Sequence, residues 1–256
     1  MKLPIAIHYQ DEVYTTATIK EATAGDIAKV TRAGSDGDIY TAFLTWAICT
    51  CASIDDVDDT AEIEKILRCA PFETIYAIAI WGMAKTRNVD AVEGHYKCPS
   101  CGNVIAHTGE FADSLFDLDK DFTEQESVEI TLPQPVEIKN SKTGETIEKI
   151  EAITLKYPAI NALIKAFRKY PDDESKVQFE VYKDSIKAVN GQPVDRTWQS
   201  SYGDLLFQKM NFNTINSITK KISEYSYGTI ECACMKCKKR WKTKVDLTNF
   251  FDSEVE

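Results

Sequence analysis

The chain has 256 residues, 43% hydrophobic and 27% charged, which supports a sizeable buried core in one large domain or two small ones. A formal net charge of -10 excludes a protein that grips nucleic acid over its whole surface, because phosphate binding needs a positive footprint. Met1-Lys2-Leu3-Pro4-Ile5 lacks the apolar core of a signal peptide, and no apolar run reaches the roughly 18 residues of a membrane span.

Residues 3–8 and 13–20 predict a β-hairpin: Leu3, Ile5 and Ile7 alternate, Gln10-Asp11-Glu12 turns, and 13–19 is rich in Val, Tyr and Thr. A helix follows, with Thr23 as N-cap and Asp26 as its capping-box partner. Gly34-Ser35-Asp36-Gly37 is a loop. Residues 39–52 predict an apolar helix carrying Trp46, Cys49 and Cys51, and the acidic run Asp55 to Asp59 leads to a helix over 60–68. Pro71 opens another helix through Met83, with Ile75, Ile78 and Ala79 on a core-facing stripe.

A first cysteine knuckle with flanking strands covers 91–108, and an acidic, aromatic stretch runs from Glu110 to Asp121. Strands are expected at 127–132, 135–139 and 147–156, with Lys142-Thr143-Gly144 as a turn. Helices are expected over 158–170, 174–188, 202–210 and 213–225. The second knuckle and a strand at 239–247 close the chain, ahead of an apolar tail through Phe250 and Phe251 that packs on the ribbon or helices or anchors in a partner.

The order of elements repeats. Cys98 and Cys101 match Cys234 and Cys237 at an offset of 136 (234 minus 98), as do Lys20 with Lys156, Ile27 with Leu163 and Lys29 with Lys165. Between them the offset becomes 140 (212 minus 72), where Phe72-x-Thr74-Ile75-x-x-Ile78 matches Phe212-x-Thr214-Ile215-x-x-Ile218. A tandem duplication with a four-residue insertion and a compensating deletion explains both offsets; chance agreement among common residues is the alternative. The expected architecture is α+β in two similar halves, 1–126 and 127–256, each a small β-element plus helices.

Each half ends in a C-x-x-C knuckle, Cys98-Pro99-Ser100-Cys101 and Cys234-Met235-Lys236-Cys237. Together Cys98, Cys101, Cys234 and Cys237 offer four thiolates for one tetrahedral metal, expected to be a structural zinc shared between the halves in a split, zinc-ribbon-like site. Iron in the same cage and two disulfides are the other readings. Four sulfurs close the coordination sphere and leave no position for a catalytic water. Cys232, in C-x-C-x-x-C, is a neighbour that could replace Cys234, and His95 lies three residues before Cys98. Cys49, Cys51 and Cys69 read as core thiols, and His8 and His107 as strand or loop residues.

No catalytic triad, P-loop or dinucleotide fingerprint is present, so no catalytic residue and no small-molecule substrate is expected. The basic cluster Lys236, Lys238, Lys239, Arg240, Lys242 and Lys244 has three readings: a nucleic-acid contact, a ribbon edge protected by lysine, or a dock for an acidic partner.

Leu3-Pro4-Ile5, the run Ile19 to Ile27, Gly37-Asp38-Ile39-Tyr40, the Cys98 knuckle and the Cys234 knuckle running on to Asn249-Phe250-Phe251 together resemble a family of tail proteins from contractile-tailed bacteriophages and related prophages. Its members are described as baseplate hub subunits or tail assembly proteins. The resemblance spans nearly the whole chain and implies a non-enzymatic role in the virion baseplate, assembled in the host cytoplasm, with other phage tail and baseplate proteins as partners. A tail assembly factor absent from the finished virion and a nucleic-acid-binding zinc ribbon are the alternatives. Cys232, and Lys238 where a knuckle often has glycine, depart from the simplest pattern.

Overall fold

Alternating apolar residues pair β1 (Lys2–Tyr9) with β2 (Glu12–Ile19) as an antiparallel hairpin, and β3 (Cys51–Ile54) extends it to the order β1-β2-β3. The computed structural model describes residues 1–35, 38–87, 91–110, 122–139, 143–225 and 229–244. Most of the acidic, aromatic stretch 110–121, part of the loops expected at 34–37 and 142–144, and the apolar tail beyond 244 lie outside the described residues.

Between β2 and β3 run α1 (Ala24–Gly34) and α2 (Ile39–Thr50). The expected capping box is present: Thr23 accepts the Asp26 N–H, and Asp26 accepts the N–H of Thr23 at 3.1 Å. The predicted helix over 39–52 ends earlier, at Thr50, because Cys51 to Ile54 extends to pair with β2. Asp55 terminates that strand with φ +44°, and its carboxylate accepts the backbone N–H groups of Thr15 and Thr16, each at 2.9 Å. This aspartate, expected as the start of an acidic connection to the next helix, ties β3 to β2. Asp59 caps α3 (Thr60–Cys69), and Pro71 precedes α4 (Phe72–Arg87). Next comes the ribbon β4 (Ala91–Lys97) with β5 (Val104–Glu110).

The second sheet has the order β6-β7-β8-β9. The two strands expected over 127–139 are one, β6 (Ser127–Lys139), with an irregularity where Pro133 and Pro135 interrupt its pairing with β7 (Thr146–Lys156). Two helices follow, α5 (Ile160–Lys169) and α6 (Glu174–Ser185). The helix expected to reach 188 stops at Ser185, since β8 (Ile186–Val189) pairs with β7 and then with β9 (Gln192–Pro193). Asn190 ends β8 with φ +47°, and its side-chain oxygen accepts the N–H groups of Glu151 and Ala152 at 2.8 and 3.1 Å. A short helix α7 (Arg196–Trp198) runs through a π turn at Gln199–Gly203 into α8 (Asp204–Lys209). Then come α9 (Phe212–Ile222) and the ribbon β10 (Thr229–Ala233) with β11 (Arg240–Lys244).

Buried side chains gather in two clusters. One is centred on α2, α3 and α4 and takes Ile160 and Ile164 from α5. The other lies between β6, β7 and β8 and helices α6, α8 and α9, and takes Ile5 from β1. Each cluster therefore borrows from the other end of the chain. The Thr74 hydroxyl donates to Ile5 O at 2.6 Å, and Arg168 Nε donates to the α2 cap Asp38 at 3.0 Å. No helix among the described residues is long and apolar enough to cross a membrane.

Candidate metal centre

Each ribbon turns through its knuckle in the same way. Cys98 N–H donates to Asn103 O at 2.8 Å and Gly102 N–H donates to Cys98 O at 2.9 Å. In the second knuckle Cys234 N–H donates to Lys239 O and Lys238 N–H to Cys234 O, both at 2.9 Å. The turn needs a left-handed residue, supplied by Gly102 at φ +69° and by Lys238 at φ +61°. Lysine where glycine is favoured is the departure visible in the sequence, and the knuckle nevertheless closes.

The tight turns aim all four sulfurs at one point. Cys98 Sγ lies 3.6 Å from Cys237 Sγ, Cys101 Sγ lies 3.6 Å from Cys234 Sγ, and all four fall within 4.8 Å of one another. Four sulfurs at about 2.3 Å from a tetrahedral metal stand about 3.8 Å apart along each edge, whereas a disulfide needs about 2.05 Å. The cluster has the dimensions of a metal cage, and the cysteines are free thiols. Cys98 and Cys234 are buried, while Cys101 and Cys237 lie nearer the surface.

The thiols are unequal acids. The Cys237 N–H, with help from that of Lys236, holds the Cys234 thiol at about 6 although desolvation opposes it. Desolvation is the largest influence on Cys98, but the N–H groups of Cys101 and Ser100 outweigh it, and that thiol is also lowered. At Cys101 the Asn103 N–H favours the thiolate, yet desolvation and the neighbouring sulfurs prevail and push the thiol up to about 11. A crowd of four thiolates without a cation is self-repelling; a divalent ion supplies the missing charge.

The other candidates fall outside the cluster. Cys232 is fully buried in the first core, on the strand β10 that delivers Cys234, and burial raises its thiol. His95 is exposed on β4 and does not join the four sulfurs. His8 Nε2 contacts Glu124 O at 2.9 Å, and the side chain of His107 lies outside the described residues. Burial pushes Cys49 up to about 11 and Cys51 up to about 12, which leaves both unreactive near neutrality. The half-buried Trp241 of β11 and the buried Tyr96 of β4 seat both ribbons on the first core. Their apolar character between charged neighbours is the one signal that could have placed them.

A cavity of about 700 Å³ opens between the two cores, walled by Tyr40, Phe72, Tyr157, Phe167 and Tyr182. Three of its polar side chains bond one another: Gln178 Nε2 donates to the Tyr182 and Thr219 hydroxyls at 3.0 Å, and those hydroxyls are 3.0 Å apart. Comparisons with family models, with curated proteins and with solved structures find no match for the chain.

Proposed function

We propose that the four cysteines hold a structural zinc that staples two tandem halves of a non-enzymatic assembly protein. The observation that carries this reading is the four-sulfur cluster, whose ligands come from ribbons 136 positions apart (234 minus 98). Thiolates alone favour zinc among the common divalent ions, and a closed sphere suits a structural role. Metal analysis of the purified chain is expected to find one zinc per chain, with sulfur as its sole ligand in X-ray absorption. Nitrogen or oxygen ligands, or iron, would overturn the assignment.

Several paired details support the tandem reading. Asp55 and Asn190 both take positive φ and both accept two N–H groups from the neighbouring strand. The pairings of β2 with β3 and of β7 with β8 slip at the same step, after Thr18 and after Thr154. Asp59 and Asp195 cap matching helices, by accepting from Glu62 N at 2.9 Å and Trp198 N at 2.8 Å. Independent origins have no reason to reproduce a strand slip, a left-handed residue and its acceptor together. Superposition of residues 1–110 on 127–244 in an experimental structure is the test, and failure of the sheets and ribbons to coincide would refute it.

The sequence resemblance supplies the biological context: a component of a phage-type contractile tail baseplate that binds other tail proteins in the virion. The chain is then expected among the proteins of purified particles by mass spectrometry. Its absence from finished particles, with tails failing to assemble without it, would favour the assembly factor. A second reading has its own observation. Lys236, Lys238, Lys239, Arg240 and Lys242 are exposed, and none makes an ion pair among the described residues, although the chain is acidic. Salt-dependent binding of a DNA or RNA duplex, lost on replacing those residues by glutamine, would establish that reading.

A further inference from the structure

The helix contact between the halves runs one way, although β1 also sends Ile5 into the second core. Helix α5 of the second half packs on α2, α3 and α4 of the first, burying Ile160 and Ile164, while Leu163, half-buried against the second core, lines the cavity that Phe72 and Tyr40 also line. Its entry is hydrogen-bonded to the chain ahead of α4: Phe72 N–H donates to Pro158 O at 3.0 Å, and Ile160 N–H donates to Ala70 O at 2.9 Å. Were the halves related by a closed two-fold, the matching contact would join Phe212 to residues Ala22 to Ala24 of the same chain. It does not: Phe212 is 77% exposed. The residues matching Ile160, Leu163 and Ile164 at an offset of 136 are Ala24, Ile27 and Ala28 on α1, all exposed, with Ile27 at 45%. Leu205 of α8 adds further exposed apolar area on the second half. The first-turn N–H groups of Ala24 and Phe212, whose mates Ile160 and Phe72 donate across the internal contact, have no partner among the described residues.

We propose that copies of this chain associate head to tail, the α1 face of Ala24, Ile27 and Ala28 of one copy docking on the exposed Phe212 of the next. The occupant is set by the internal contact itself: α5 covers the Phe72 side of the first half, and α1 is the segment that matches α5. A repeated head-to-tail contact builds a ring if its rotation closes and a filament if it does not. Because each chain carries a net charge of -10, long-range repulsion opposes the contact, and salt that screens it strengthens association. The opposite salt dependence belongs to binding through the basic ribbon.

The inference rests on the tandem reading. If an experimental structure shows halves that do not superpose, that reading falls; if they superpose and the chain stays monomeric, the docking alone falls. Sedimentation velocity of the zinc-loaded chain, over a concentration series at low and high salt, is the experiment. The sedimentation coefficient is expected to rise with concentration, more steeply in high salt. Ile27→Asp and Phe212→Asp should each abolish the rise, with zinc content and melting temperature unchanged because both side chains are exposed. An equimolar mixture of the two variants retains one intact pair of faces and should stop at a dimer. A wild-type chain that is monomeric at every concentration overturns the proposal and leaves both faces to another partner. So does association that survives Ile27→Asp but not Phe212→Asp, which would mean that Phe212 faces pair with each other.

Discussion

Single residues decide where this chain turns. Asp55 and Asn190 each hold a left-handed backbone position and accept two N–H groups that the sheet would otherwise leave unpaired. Asp55→Ala removes both acceptors and should cost about 1–3 kcal/mol in chemical denaturation, whereas Asp55→Asn keeps one acceptor oxygen but turns its NH2 toward the other N–H, because Thr15 and Thr16 use different carboxylate oxygens, and should recover only part of that loss. Lys238 occupies a left-handed turn that Gly102 fills without strain, so Lys238→Gly is expected to stabilise by up to about 1 kcal/mol and to keep the metal. A loss of zinc in that variant would show that the lysine chain, not the turn, holds the knuckle. The four ligands were legible from C-x-x-C spacing alone. The role of Asp55 was not, since one aspartate in an acidic run looks like its neighbours until the strand that it caps is in place.

At the scale of elements, hairpins, caps and most helices follow from local chemistry. The Thr23 cap is one: Thr23→Ala should cost about 1 kcal/mol, read as a lower denaturation midpoint at constant slope. The third strand of each sheet was hidden. Cys51-Ala52-Ser53-Ile54 and Ile186-Lys187-Ala188-Val189 both directly follow helices, and they become strands because an edge of β2 or β7 is waiting for their backbone groups. The second sheet carries a charge device as well. Glu126 bonds Lys156 at 2.5 Å and Lys187 at 2.6 Å, bridging the start of β6 to β7 and β8. Desolvation is the strongest influence on that carboxyl, but the two lysines outweigh it and hold it at about 2, below its ordinary 4.5. A carboxyl lowered in the folded state contributes stability that is complete above the ordinary value and lost as pH falls toward about 2. Glu126→Gln should therefore destabilise near neutrality and flatten that acid-dependent loss, as followed by denaturation midpoints across the acid range.

For the whole molecule, the four-cysteine cluster joins two two-stranded ribbons that are otherwise held to the first core by little more than Tyr96, Ile105, Cys232 and Trp241, and such ribbons are marginal alone. Chelation, or Cys98→Ser and Cys234→Ser, should lower the melting temperature and release the ion, because the binding free energy of a structural zinc becomes folding free energy. The two apolar cores are built mainly by helices and sheets that do not include the four clustered cysteines, so much of the helical circular dichroism should survive. Unchanged melting and metal content in either variant would refute the staple. Buried apolar area dominates the rest, with Ile63, Ile66, Leu67, Ile75, Ile78, Ile138 and Ile150 all fully buried.

The sequence by itself determined the two C-x-x-C turns, the Thr23 cap and the first hairpin, because each depends on residues near one another along the chain. Tertiary structure decided which sulfurs of Cys232, Cys234 and Cys237 join those of Cys98 and Cys101, since β10 points Cys232 into the first core. It decided the third strands, which exist only where a neighbouring edge accepts them. It also decided that Ile160 and Ile164 of α5 are covered while Ala24, Ile27 and Ala28 of α1 are not, because α5 packs on α2, α3 and α4 and that face of α1 meets no other element among the described residues.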